Sequence, residues 1–191
     1  MRPLGPIVRL QIQRSSLKTG ERPQRSYDPT PLLAVPRLAL SPDGALGASD
    51  GAWLVDVHHR GHPATKNEDG LHGISVGFTG HYGAMRRRFG ERLTVGCAGE
   101  NVIADTAGQL QFDDVAGGLA IVAPDGTERV RLRVLEVAHP CRPFTGWALG
   151  GTVEAAVLKE QLQFLEGGMR GFYCTAEGSG TVEVGDLLYA L

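Results

Sequence analysis

Only three of the 191 residues are cysteines, Cys97, Cys141 and Cys174. An odd number without CxxC spacing makes neither a disulfide framework nor a zinc ribbon. No apolar run approaches the roughly 20 residues of a membrane-spanning helix, and Met1–Gly5 does not lead into the hydrophobic stretch of a signal peptide. No membrane association is expected, and a reducing cytoplasm is the simplest compartment. Charge is balanced as well. A formal net charge of −2 gives no polyanion-binding signature, so nucleic acid is not expected as a partner. Flavin, iron–sulfur and haem motifs are missing, and neither Lys18 nor Lys66 has the surroundings of a pyridoxal phosphate Schiff base. The run Arg86–Arg88 is not a basic patch, because consecutive helical residues point about 100° apart.

Glycine, by contrast, is plentiful at 27 residues and implies many turns. The chain is long enough for one domain with a real core. Ile7 to Arg14 alternates as a half-buried strand, with Ile7, Arg9, Gln11 and Gln13 on one face and Val8, Leu10, Ile12 and Arg14 on the other. Ser15 to Pro31 reads as a polar loop. Leu32 to Leu40 is a strand interrupted at Pro36, followed by a Ser41–Gly44 turn and a strand over Trp53–His58. Ile74–Phe78 precedes a helix over residues 80–89, with Thr79 as its N-cap and Gly90 as its stop. Val102–Ile103, Leu119–Val122 and Arg129–Val137 are strands, the last two a hairpin across Asp125-Gly126. A second helix runs over 153–166, capped by Thr152 and stopped by Gly167-Gly168. Strands over 171–175, 181–184 and 187–191 finish a mainly β chain with a few helices, a barrel or sandwich. Residues 1–31 are expected to be a strand-and-loop extension packed on a domain formed by 32–191.

Three stretches carry candidate chemistry. In His139-Pro140-Cys141-Arg142-Pro143 one thiol stands between two prolines. Proline fixes its own φ and pushes the preceding residue out of the helical region, which is expected to hold His139 and Arg142 extended and Cys141 at a set angle. Arg142 would favour the thiolate and His139 would accept its proton; the competing reading is an inert, buried cysteine. In Gly96-Cys97-Ala98-Gly99-Glu100-Asn101 the glycines let a ligand approach the backbone, with Glu100 and Asn101 adding a carboxyl and an amide. In Gly168-Met169-Arg170-Gly171, an arginine in a glycine turn suits phosphate, or is simply solvated. His59 and His62 lack a third ligand with zinc spacing. His58 reads as a cofactor contact or an ordinary loop histidine.

In order, Gly99-Glu100-Asn101-Val102, His139-Pro140-Cys141, Gly168-Met169-Arg170-Gly171-Phe172-Tyr173 and the Gly185-Asp186 turn resemble the MOSC domain, the family named after the C-terminal domain of molybdenum cofactor sulfurase. Asp56-Val57-His58-His59-Arg60-Gly61 and His81-Tyr82 match its upstream segments. The resemblance covers roughly Leu32 to Leu191. It departs at Ala48, where the family has aspartate; Asp50 or Asp56 stands in, or that corner is altered.

The resemblance implies a MOSC-type β-barrel decorated by two or more helices, with a pocket for molybdenum cofactor (molybdopterin). Cys141 would be a molybdenum thiolate ligand or a persulfide sulfur carrier, with His139 beside it. Arg142 and Arg170 would pair with the pterin phosphate, Gly99, Glu100 and Asn101 would contact the pterin, and His58 and Asp56 would complete the pocket. The partners implied are a PLP-dependent cysteine desulfurase or a redox partner. Three activities follow: cofactor binding, reduction of N-hydroxylated bases or amines with electrons from a separate donor, and non-catalytic sulfur or cofactor delivery.

Overall fold

A β-bulge decides which side chains of the first strand reach the core. The computed structural model describes residues 1–65, 67, 69–151 and 153–191, and strand β1 spans Arg2–Gln13. Strict alternation would put Ile7 on the face opposite Leu10 and Ile12. The register against β9 (Val102–Ala104) slips between Ile7 and Arg9. An extra residue there turns the strand, so Ile7, Leu10 and Ile12 are all buried while Val8 is exposed.

β1 is one stave of a closed seven-strand barrel. The ring runs from β1 to β14 (Leu187–Ala190), β10 (Leu119–Val122), β11 (Glu128–Val137), β12 (Phe172–Ala176), β8 (Ile74–Phe78), β9 and back to β1. All pairs are antiparallel except β8 with β9, whose parallel crossover is made by helix α1 (Thr79–Phe89) and the irregular segment after it. Closure leaves no free edge in the ring. Its interior is filled by Leu10, Ile12, Phe78, Phe172, Cys174 and Leu188, among others.

Pro36 breaks the expected 32–40 strand into two that serve different sheets. β4 (Leu32–Val35) adds to β1 outside the ring. β5 (Arg37–Ser41) joins a second sheet in the order β13 (Gly180–Glu183), β5, β6 (Gly44–Ser49), β7 (Ala52–Val55). The sequence gives no pattern for β6 because its residues are small. They have to be: a Cβ on Gly47 would stand 2.9 Å from Ile12 Cγ2.

Four expectations need correction. The 15–31 loop contains a short hairpin, β2 (Lys18–Thr19) with β3 (Ser26–Tyr27). Thr79 does not cap α1; it is the first helical residue, and its hydroxyl bonds Asp105 Oδ1 at 2.5 Å. Arg142 is not extended. It opens a third helix, α2 (Arg142–Ala148), with Cys141 as the N-cap residue and proline in the first turn, where a missing N–H costs nothing. The last helix, α3, begins at Ala155 and ends at Glu166; the expected cap Thr152, like Lys66, lies outside the described residues. The helices and the 91–101 segment enclose a second apolar cluster outside the barrel, including Tyr27, Tyr82, Met85, Cys97, Phe144 and Leu165.

Candidate functional site

A cleft of about 320 Å³ opens where the β2–β3 hairpin faces the turn after β7, the 98–100 turn, the end of β11 and the approach to β12. Asp56 ends β7 and is fully buried. Its Oδ2 accepts from the Gln13 N–H at 2.7 Å and from Asn101 Nδ2 at 3.0 Å. Its Oδ1 accepts from the His58 N–H at 2.8 Å and faces His58 Nδ1 at 3.1 Å. A buried carboxylate with four donors is fully solvated by protein. The Nδ1 contact ties the His58 imidazole, which lines the cleft, to the buried carboxyl. Asp50, the other candidate for the missing family aspartate, sits in the β6–β7 turn with φ 49° and takes no part.

Asn101 is buried and its amide is spent inside the fold. Oδ1 accepts from the Ser75 N–H at 2.9 Å, and Nδ2 donates to Asp56 and to the Gln11 carbonyl. It does not line the cleft; its amide ties β8, β1 and the turn after β7 together behind it. Its neighbours Gly99, with φ +99°, and Glu100 do line it. Glu100 is 2% exposed. Its Oε2 accepts from the Tyr82 hydroxyl at 2.6 Å, and its Oε1, packed over Gly77, has no hydrogen-bond partner among the described residues. Burial raises its pKa above the usual carboxyl value, against the opposing pull of Tyr82.

Arg170 ties two loops together. It donates to the carbonyls of His139 and Ala98, each at 3.0 Å, and its guanidinium lies 4.7 Å from the centre of the Phe144 ring. Burial disfavours its charge, but Cys141, Tyr27, Tyr173 and Glu100 around it prevail and its pKa is raised. Cys141 therefore stands beside a fixed cation, though outside the cleft lining. It is half-buried, whereas Cys97 and Cys174 are buried free thiols. Burial pushes Cys97 up to about 12 and Cys174 higher, so neither supplies thiolate near neutral pH. His139 lines the cleft and pairs through Nδ1 with Glu166 at 3.2 Å. Arg142 is exposed at the start of α2 and does not line the cleft.

The sequence reading missed the hairpin's contribution altogether. Lys18, Arg22 and Arg25 line the cleft. Tyr27 anchors the hairpin: its hydroxyl donates to the Cys97 carbonyl at 2.7 Å, and its ring meets Phe144 edge-on at 5.1 Å and Trp147 at 5.5 Å. The helix that begins at Cys141 thus carries the floor on which the hairpin rests. The only signal was basic residues around a tyrosine in a segment without apolar periodicity. His59 and His62 each use Nδ1 to accept a local backbone N–H, from Gly61 and Ala64. Among the described residues no three His, Cys, Asp or Glu side chains are arranged to hold a metal ion.

The profile of the MOSC domain matches residues 72–189, more than half of the chain. The chain belongs to the MOSC domain family. Solved structures agree in fold at low identity. YuaD from Bacillus subtilis is 13% identical with a TM-score of 0.56, over 98% of this chain and 94% of that one. YiiM from Geobacillus stearothermophilus is 17% identical with a TM-score of 0.56, over 97% and 74%. A further hypothetical protein is 14% identical with a TM-score of 0.55, over 98% of this chain, which spans only 65% of that protein's length. No curated protein matches the sequence. The mainly β, helix-decorated barrel is the expected MOSC-type fold, and no helix among the described residues is long and apolar enough to cross a membrane.

MOSC domains are associated with molybdenum cofactor, and the residues present fit that group. Arg25 and Arg170 both line the cleft, and each has a buried Nε without a hydrogen-bond partner among the described residues. Orphaned guanidinium donors beside Lys18 and Arg22 suit a phosphate, and a thiol beside Arg170 suits a soft metal.

Proposed function

We propose that this MOSC domain binds molybdenum cofactor in the cleft under the β2–β3 hairpin, with Cys141 as its sulfur ligand. The observation that carries this reading is that Arg25 and Arg170, each with a buried Nε unpartnered among the described residues, line one cleft. A buried donor without an acceptor is costly, and an anionic ligand removes that cost. Arg25, Arg170, Lys18 and Arg22 would hold the phosphate, and the Gly99 backbone and the His58 Nε2 would face the pterin. Cys141, near the Arg170 guanidinium, would supply the sulfur ligand. Bound, the cofactor would supply a molybdenum centre for two-electron chemistry.

The place of Cys141 outside the cleft lining supports a second reading, sulfur carriage. Its thiolate would attack the outer sulfur of a desulfurase persulfide. The donor's S–S bond breaks, the donor leaves as a thiolate, and Cys141 holds the persulfide with no net oxidation.

The test is molybdenum and pterin content of wild type and Cys141→Ala after incubation with cofactor released from a molybdoenzyme. Stoichiometric retention by wild type and loss in the variant supports ligation. Retention by both, with a mass gain of one sulfur on Cys141 after desulfurase treatment, supports carriage. Retention by neither overturns cofactor binding.

A further inference from the structure

Two buried carboxyls lie near the cleft, Glu100 in its lining and Asp56 behind it, and their surroundings differ sharply. Asp56 accepts from four donors. Among the described residues Glu100 accepts from one, the Tyr82 hydroxyl, and its other oxygen rests against Gly77 with no partner. Ionised carboxylates taken out of water gather donors, and Glu100 has almost none. A carboxylic acid needs fewer. Glu100 is also the only carboxyl in the cleft lining among the described residues, and that lining holds Lys18, Arg22, Arg25 and Arg170.

The groups that face Glu100 are Tyr82 from α1, Cys97 from the 91–101 segment, Arg9 from β1, Tyr27 from β3 and Arg170 before β12. Glu100 and Arg170 are close enough to feel each other's charge. If Glu100 ionised, it would claim part of the Arg170 charge and repel an incoming anion. With its proton kept, the cations of the cleft are uncompensated.

We propose that the cleft takes up a tetrahedral dianion, of the phosphate monoester class, together with a proton held on Glu100, so that anion binding and Glu100 protonation are thermodynamically linked. This rests on the reading above only in that the cleft binds an anion. Reciprocity follows: the anion holds the proton on Glu100, and loss of the proton expels the anion. The proton comes from solvent and no covalent bond changes.

Sulfate is the probe, because its charge is constant between about pH 5.5 and 8.5 whereas phosphate and histidine titrate there. Affinity is measured by calorimetry across that range for wild type and for Glu100→Gln, an uncharged isostere. Arg25→Ala locates the site by abolishing binding. His58 and His139 contribute equally to both proteins. The expected result is a steeper fall in wild-type affinity with rising pH, by up to about tenfold per pH unit where Glu100 ionises. Calorimetry in buffers of different ionisation enthalpy should show proton uptake in wild type that the variant lacks. Equal slopes and equal proton uptake, with binding retained, overturn the linkage and leave the anion site standing. Sulfate bound by neither folded protein overturns both. Should Glu100→Gln fail to fold, difference infrared spectroscopy of wild type decides. Sulfate must strengthen the carbonyl band of a protonated carboxyl at the alkaline end, and an unchanged band overturns the proposal.

Discussion

The Nδ2 of Asn101 donates to Oδ2 of Asp56 at 3.0 Å, joining the segment before β9 to the turn after β7. The same amide accepts from Ser75 on β8 and donates to the Gln11 carbonyl on β1. Asn101→Asp would put two carboxylates face to face in a buried place, where like charges cannot both ionise. It is expected to destabilise by about 3 kcal/mol or more, beyond the cost of Asn101→Ala. Urea unfolding of the two variants checks the order; a milder effect for aspartate would sink this account of the network.

Acid should act through His81. Burial holds its pKa down to about 4, and Leu110 N–H lies 2.9 Å from its Nε2. The folded value is below the unfolded one near 6.5, so the unfolded state binds the proton more readily. The neutral imidazole's contribution is fully present above about pH 6.5 and is lost as pH falls through about 4, up to about 3 kcal/mol in all. Thermal melts of wild type and His81→Gln between these limits should show the dependence only in wild type.

Glu100 works in the opposite sense. Its folded pKa is raised, so its contribution is present below the ordinary carboxyl value and fades as pH climbs through the raised one. Glu100→Gln should therefore gain on wild type as pH rises. A constant stability difference across the pH range would contradict this.

The hairpin's hold on the cleft depends on aromatic packing. Phe144 is fully buried against Tyr27 and under Arg170. Phe144→Ala should cost about 3–5 kcal/mol and expose the 15–31 segment to proteases. Tyr27→Phe keeps the ring and loses only the bond to Cys97, about 1 kcal/mol. Limited proteolysis that cut both variants at the same rate would argue against the anchor.

Gly171 should tolerate nothing larger. It has φ +79°, and a Cβ there would stand 2.1 Å from the Val76 carbonyl oxygen. Gly171→Ala has to part β12 from β8 and move Arg170 with them. Loss of soluble, folded protein, read by circular dichroism, is the expected outcome.

The barrel strands were readable because their apolar residues alternate or run together, as in 74–78 and 129–137, and because Gly90, Asp125-Gly126 and Gly185-Asp186 punctuate them. β6 was not, since its residues were chosen for smallness against Ile12 and Val35 rather than for burying area. α2 was hidden by Pro143, which reads as a breaker yet sits in the first turn. At the site, the resemblance pointed to Glu100, His58 and Arg170, all of which line the cleft. It gave no warning that the Asn101 amide is consumed by the fold, because hydrogen-bond partners such as Gln11 and Ser75 lie far off in sequence. The hairpin cations were invisible for a related reason: only the docking of Tyr27 on Phe144 brings them over the cleft.

The seam between β1 and β14 pairs Arg2 with Ala190, and β14 also supplies the partner of β10. On a ribosome, β1 must therefore wait for β14 to be made before the ring can close. Until then the flanks of β1 and β10 that β14 will occupy stand open, as bare template for any passing strand. Refolding should be slow, since the entropy of bringing β1 and β14 together falls due before that contact gives anything back. The nascent chain is most exposed to aggregation until β14 has been made and docked.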